Sequence, residues 1–249
     1  MEQAINLRQT AIRVEEELQD VGDEEVGEKQ VDRDWFTKWQ TYAQDTSSEQ
    51  LQNLWAKLLV SENRKPGSHS LHTLELLSRL SKEDAQTIAK VFRFRFNQAV
   101  PRLEDFPLYE TNGVTLDNIF HLEAIGILLG VTTGIGGLGL SFSRDESGQS
   151  IEEIEYEKYA IRFYGQSESD VHASCYLISQ AGMEIASLVP VNNDVDDLTE
   201  IAKYILRGTL ENGHISLQVV ELIAKGDGTS SHQRIRDVTR DDLGPALEK

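Results

Sequence analysis

An α+β fold, with an N-terminal helical domain followed by a small antiparallel-sheet domain of loosely winged-helix-like order, is the class this sequence predicts. Three observations carry it. Apolar residues recur at helical spacing from Trp35 to Phe96. Alternating runs rich in β-branched and aromatic residues, such as Tyr159–Tyr164 and Ile215–Val219, occur only later. After Pro107 the elements read as helix, strand, acidic loop, strand and small helix, an order that loosely resembles a winged-helix module.

Ala4, Leu7, Ala11, Val14, Leu18 and Val21 alternate spacings of three and four, with Ile5 and Ile12 widening the seam. A helix this short is marginal alone in water, so the seam must lie on its own domain or on another subunit. Leu7 and Val14 are its candidate contact residues. The acidic run from Glu15 to Glu28 reads as a solvated helix end and linker.

Trp35, Trp39 and Ala43 suggest the next helix. Leu51, Leu54, Trp55, Leu58 and Leu59 mark another, with Ser47 and Gln50 spaced as a capping box. Pro66-Gly67 stops it, and Ser68 or Ser70 caps a helix carrying Leu71, Leu74, Leu77 and Leu80. Ser81 with Asp84 opens a helix whose stripe runs from Ala85 to Phe96. All 3 tryptophans of the chain fall in this segment. Burying such an aromatic stabilises by roughly 1.5–3 kcal/mol.

Asn112-Gly113 is a turn, and Thr115 caps a helix running to Leu128. A strand is predicted around Leu138–Phe142, an acidic hairpin loop over Arg144–Glu157, and strands over Tyr159–Tyr164 and His172–Ile178. Ser179 or Gln180 begins a short helix. Asn193 or Asp194 caps another, striped by Leu198, Ile201, Ala202, Ile205 and Leu206. A final strand runs from Ile215 to about Ala224, and the polar segment beyond Lys225 reads as a fraying tail. The expected organisation is an N-terminal helix and linker over 1–33, a helical domain over 34–106, an α+β domain over 107–224, and a tail over 225–249.

The ordered elements Trp35-Phe36, Leu51-Gln52, Leu54-Trp55-Ala56-Lys57, Leu59, Glu62, Pro66-Gly67-Ser68, Ser70-Leu71, Thr73-Leu74 and Asp84-Ala85 resemble a bacterial family catalogued as domain of unknown function 2806. The resemblance covers about a quarter of the chain, Asp34 to Phe96. Two positions depart from it. His69 stands where the family is usually aromatic, and His72 where it is usually basic. The resemblance implies a bacterial cytoplasmic protein and supplies no reaction or ligand. From it and from the capping pattern, Trp55, Glu62, Pro66, Gly67, Ser68, Ser70 and Thr73 are the candidate residues of an organising corner.

The chain has 249 residues, 24 basic and 42 acidic side chains, and a net charge of -18. That balance opposes binding to nucleic acid or anionic lipid, where affinity rests on neutralised phosphate. One cysteine, Cys175, forms no disulfide within the chain and fits a reducing compartment. Glu2, Arg8, Arg13 and Glu15 interrupt what would be a signal peptide's apolar core.

The remaining motifs each lack a needed part. Gly134-Ile135-Gly136-Gly137-Leu138-Gly139 has dinucleotide-fingerprint spacing, but a helix precedes it and a strand follows, the reverse of what pyrophosphate binding needs. Ala124–Ser143 is free of charge, yet its glycines argue against a membrane helix. His69, His72 and Glu75 lack further ligands for zinc. His172 and Cys175, three apart in a strand, face opposite ways. Asn192, Asp194, Asp196 and Glu200 start like a calcium loop but lack its glycine and final glutamate. The helix after Thr115 carries Asp117 and Glu123 and no basic residue, which unsuits it to a DNA groove.

The function expected is therefore a non-enzymatic protein-protein interaction or regulatory module without cofactor or metal. Its partner would be another protein or a second copy of itself. The alternative is a small-molecule sensor or phage-defence-associated regulator with a pocket at the glycine-rich segment.

Overall fold

The computed structural model describes residues 1–20, 30–134, 136–140, 143–144, 150–156, 158–165, 171–189, 194–208, 215–224 and 230–243. In chain order the elements are α1 (Glu2–Asp20), α2 (Arg33–Ala43), α3 (Glu49–Arg64), α4 (Leu71–Arg79), α5 (Lys82–Phe92), β1 (Ala99–Pro101), α6 (Leu108–Thr111), α7 (Leu116–Ala124) and β2 (Leu128–Leu129). There follow β3 (Gly137–Leu140), β4 (Ser143–Arg144), β5 (Ser150–Glu155), β6 (Tyr159–Gly165), β7 (Val171–Ile178), α8 (Gln180–Ala186), α9 (Val195–Arg207), β8 (Ile215–Ala224) and β9 (Ser230–Val238). The class is α+β. These elements group into two units that interleave along the chain. One comprises Met1–Ala89, His121–Leu128 and Ile178–Pro190; the other comprises Lys90–Phe120, Leu129–Leu177 and Val191–Lys249.

The first unit is helical. α1 lies along α3, α2 touches α3 and α4, and α8 lies against α4. Trp35, Trp39, Trp55, Leu58, Leu74 and Leu77 are buried together with Leu122 and Ile185. Two indoles also fasten the backbone: Trp35 Nε1 donates to the His69 carbonyl at 2.8 Å, and Trp39 Nε1 to the Trp55 carbonyl at 2.9 Å. The capping signals largely act where the sequence places them. Ser70 caps α4, Ser179 caps α8, and Ser81 and Asp84 exchange bonds of 2.8 and 3.0 Å at the start of α5. The Ser47–Gln50 box does not form. Ser48 is the N-cap of α3 and makes no side-chain cap bond, while Gln52 Nε2 reaches back to the Thr46 carbonyl at 2.9 Å. α5 ends at Phe92 rather than Phe96, because the chain turns through Asn97 with φ 49° and closes a bridge from Phe96 to Ala99. α7 ends at Ala124 rather than Leu128, with the Ile127 N–H bonded back to the Leu122 carbonyl at 2.8 Å.

The second unit is built on an antiparallel sheet of order β4-β5-β6-β8-β9. Ile161 pairs with Ile154 on one side and Val219 on the other, and Phe163 pairs with Leu217. These side chains are buried, and α9 covers β8. Asp194 and Asp197 form a capping box that starts α9, and the predicted stripe Leu198, Ile201, Ala202, Ile205 and Leu206 is buried. A smaller sheet runs β1-β7-β2, with β3 also paired to β7.

Two further segments differ from the sequence reading. Ser230–Val238, within the expected tail, is strand β9 and pairs with β8 from Leu217 to Ala224. It reads as polar because it is an edge strand: backbone bonds hold it, and of its hydrophobic residues Val238 is buried while Ile235 stays exposed. Within the expected acidic loop, Ser150–Glu155 is strand β5. Its Ile154 enters the core, and its Glu153 pairs with Arg162 and His232.

Candidate functional site

The corner between α3 and α4 is where most of the predicted site residues meet. α3 is amphipathic, and its last turn places Glu62 inward, 1% exposed. A carboxylate at that depth needs donors to replace water. The chain supplies them by turning back through Pro66 and Gly67. Gly67 sits at φ 91°, a left-handed conformation that glycine adopts without steric cost.

Glu62 then accepts from the Gly67 N–H at 2.5 Å, the Ser68 hydroxyl at 3.2 Å and the His69 N–H at 2.9 Å. A second carboxylate does the same one turn later. Glu184 of α8 accepts from the Ser70 N–H at 2.7 Å and from Thr73 Oγ1 at 2.5 Å. Ser70 Oγ accepts from the Thr73 N–H at 3.2 Å, which caps α4. Charge-assisted bonds of this kind are about twice as strong as neutral ones. Two acidic side chains thus immobilise the loop from Gly67 to Thr73.

His69 is the titratable ring at this corner. Its Nδ1 lies 2.9 Å from Ser68 Oγ and 3.5 Å from Glu62. With the Ser68 hydroxyl donating to Glu62, its oxygen accepts from a proton on Nδ1. Burial lowers the pKa of His69, and the neighbouring Glu62 and Glu184 carboxylates oppose that shift only in part. The neutral ring is the favoured form.

The corner gathers Glu62, Gly67, Ser68, Ser70 and Thr73, while Pro66 is a half-buried turn residue beside them. Trp55 lies in the core instead, where its carbonyl receives Trp39 and its own indole N–H finds no hydrogen-bond partner among the described residues. His69, His72 and Glu75 do not converge. His69 turns inward, His72 is exposed, and Glu75 pairs with Arg79 at 2.6 Å. Among the described residues no cluster of metal-ligating side chains is found. Glu184 is the member that sequence reasoning misses. Its partners are 111 and 114 residues away, and nothing local signals them.

Leu7 and Val14 are half-buried on α1. The face that α1 turns toward its own unit is largely polar. Asn6 and Thr10 are buried, Asn6 Nδ2 donates to the Gln44 carbonyl at 3.0 Å, and Arg13 pairs with Glu49 at 3.1 Å. Ile5, Ile12 and Leu18 are exposed at 51%, 45% and 45%. The outward edge of the predicted seam is therefore the Ile5–Ile12–Leu18 side. An open apolar groove of about 330 Å³ lies beside Leu18, lined also by Val14, Val31, Phe36 and Leu59.

The other motifs take structural places. Gly136 packs so tightly on β7 that a Cβ there would lie 2.1 Å from the Cys175 carbonyl oxygen. Arg102 bonds the Gly134 and Gly136 carbonyls, and strand β3 rather than a helix follows them. Asn192 lies outside the described residues, Asp194 caps α9, Asp196 pairs with Arg236, and Cys175 is buried in β7. Among the described residues no helix is long and apolar enough to cross a membrane.

Fold and corner together define an α+β protein with a helical scaffold clamped by paired carboxylates. The chain belongs to the family described as Protein of unknown function (DUF2806), whose model matches residues 8–201. That span takes in Glu184 as well as the Trp35–Asp84 motif. No curated protein and no solved structure matches the chain.

Proposed function

We propose that this protein is a non-enzymatic interaction or regulatory module that works by presenting a helical surface to another protein. The observation that carries this reading is the orientation of α1. Asn6, Thr10 and Arg13 are used inward, while Ile5, Ile12 and Leu18 are left outward. Water-exposed isoleucines along one helix face gain free energy when a second surface covers them. The corner supports the same reading from the other side. Its carboxylates spend their lone pairs on backbone N–H groups and hydroxyls, an arrangement that holds a shape. A general acid or base would need an open approach to a substrate proton. The lone cysteine and the acidic surface suit a reducing bacterial cytoplasm.

The test is affinity capture with the full chain as bait, in parallel with an Ile12→Asp bait whose circular dichroism is unchanged. The expected result is a stoichiometric protein partner, which includes a second copy of the chain, retained by the first bait and lost by the second. Equal recovery on both baits would overturn the reading.

A further inference from the structure

This inference rests on the interaction reading and names the partner. The outward face of α1 repeats every seven residues: Ala4 and Ile5, then Ala11 and Ile12, then Leu18 and Gln19, with Arg8 and Glu15 between them. All are exposed. Arg8 and Glu15 make no ion pair among the described residues, although Arg13 and Glu17 on the inward side both do.

That face contains its own complement. Set it against a copy running the other way, with the two-fold axis between Ala11 and Ile12. Ile5 then lies opposite Leu18, Arg8 opposite Glu15, and Ala11 opposite Ile12. A two-fold axis makes every such contact twice, as an isologous interface requires. Running the two helices parallel would instead place Arg8 against Arg8 and Glu15 against Glu15. Opposed helix dipoles also favour the antiparallel arrangement. Ala4 and Ala11 let the helix axes come close, and Leu18 continues the contact to the rim of the apolar groove. The geometry points to a homodimer in which two α1 helices pair antiparallel through Ile5, Arg8, Ile12, Glu15 and Leu18. One helix pair about 28 Å long is a small interface, of the size found in weak and transient encounters, so the concentration range of the test extends well above micromolar.

Sedimentation equilibrium of the full chain, from about 1 to 200 µM at near-physiological salt, tests this. Each chain carries -18, so repulsion at low salt would mask the contact. The expected result is a mass rising from 28.0 kDa toward twice that value. Ile12→Asp, at the centre, holds the protein monomeric over the same range. Arg8→Glu weakens dimerisation about tenfold, and Arg8→Glu combined with Glu15→Arg restores it to within about threefold of wild type. Circular dichroism confirms that each variant keeps its helix content. A wild-type monomer at every concentration overturns the proposal, as does a dimer indifferent to Ile12→Asp or a double reversal that fails to recover. A wild-type monomer whose capture of a different protein is lost in Ile12→Asp ends the homodimer while keeping the interaction reading. A wild-type monomer with no Ile12-sensitive partner ends both.

Discussion

The α3–α4 corner and helix α1 both turn polar side chains inward, but to opposite effect. At the corner Glu62 is buried and Glu184 half-buried, and their donors are backbone N–H groups and hydroxyls of the loop itself. The His69 N–H is closed off from water, so breaking its bond leaves a donor unsatisfied. On α1 the inward contacts are mostly amides and ion pairs near the surface, such as Gln3 with Asp45 and Arg13 with Glu49. Water can replace those partners at little cost. The corner is therefore held by carboxylates that have few other partners, whereas α1 lies along α3 and keeps its apolar edge in solvent. Where a polar group is buried decides whether it fixes a loop or merely positions a surface.

The contrast can be broken at either end. Glu62→Ala should have the largest effect. Removing the shared acceptor destabilises by about 2–3 kcal/mol, because the His69 N–H stays buried without a partner. Thermal or denaturant melts measure it. If Glu62→Ala cost no more than a surface substitution, the corner would not be the rigid region. Gly67→Ala comes next. No atom lies within 4 Å of the added Cβ, so the cost is the left-handed backbone alone, about 1 kcal/mol.

His69 sharpens the same region through pH. Its folded-state pKa is lowered by burial, so on acidification the unfolded chain takes up the proton first. Stability should fall as pH drops below the ordinary imidazole range, and level off beneath the depressed value. His69→Phe should flatten this part of the melting-temperature profile relative to wild type. On α1, Arg13→Ala should cost less than about 1 kcal/mol, since its partner Glu49 is largely exposed. Ile12→Asp should leave the melt nearly unchanged, and its effect should appear in association alone.

Legibility in the sequence followed how local the determining contact is. Ser81–Asp84, Thr115–Asn118 and Ser179 act through bonds three residues long; the first pair was readable from spacing, Thr115 as a cap, and Ser179 as one of two helix starts. So was the α9 stripe. The corner was half readable: Glu62 and the Pro66-Gly67-Ser68 turn stood out, but Glu184 arrives from a distant helix. β9 carries almost no alternation, because backbone pairing holds it with little side-chain burial. α1 shows the subtlest miss. Its seam was visible, but periodicity does not reveal which face is covered. Asn6 and Thr10 are buried, and Asn6 bonds the Gln44 carbonyl, so the helix sits with Leu7 and Val14 half-covered and Ile5 and Ile12 exposed.

Trp35, Trp39 and Trp55 all lie in α2 and α3, within the helical unit, while the sheet unit contains tyrosine and no tryptophan. Intrinsic emission excited above the tyrosine absorption edge therefore reports the helical unit alone. Far-ultraviolet dichroism reports both units. Overlaying the two signals through a single denaturation will show whether the interleaved halves come apart together or in turn.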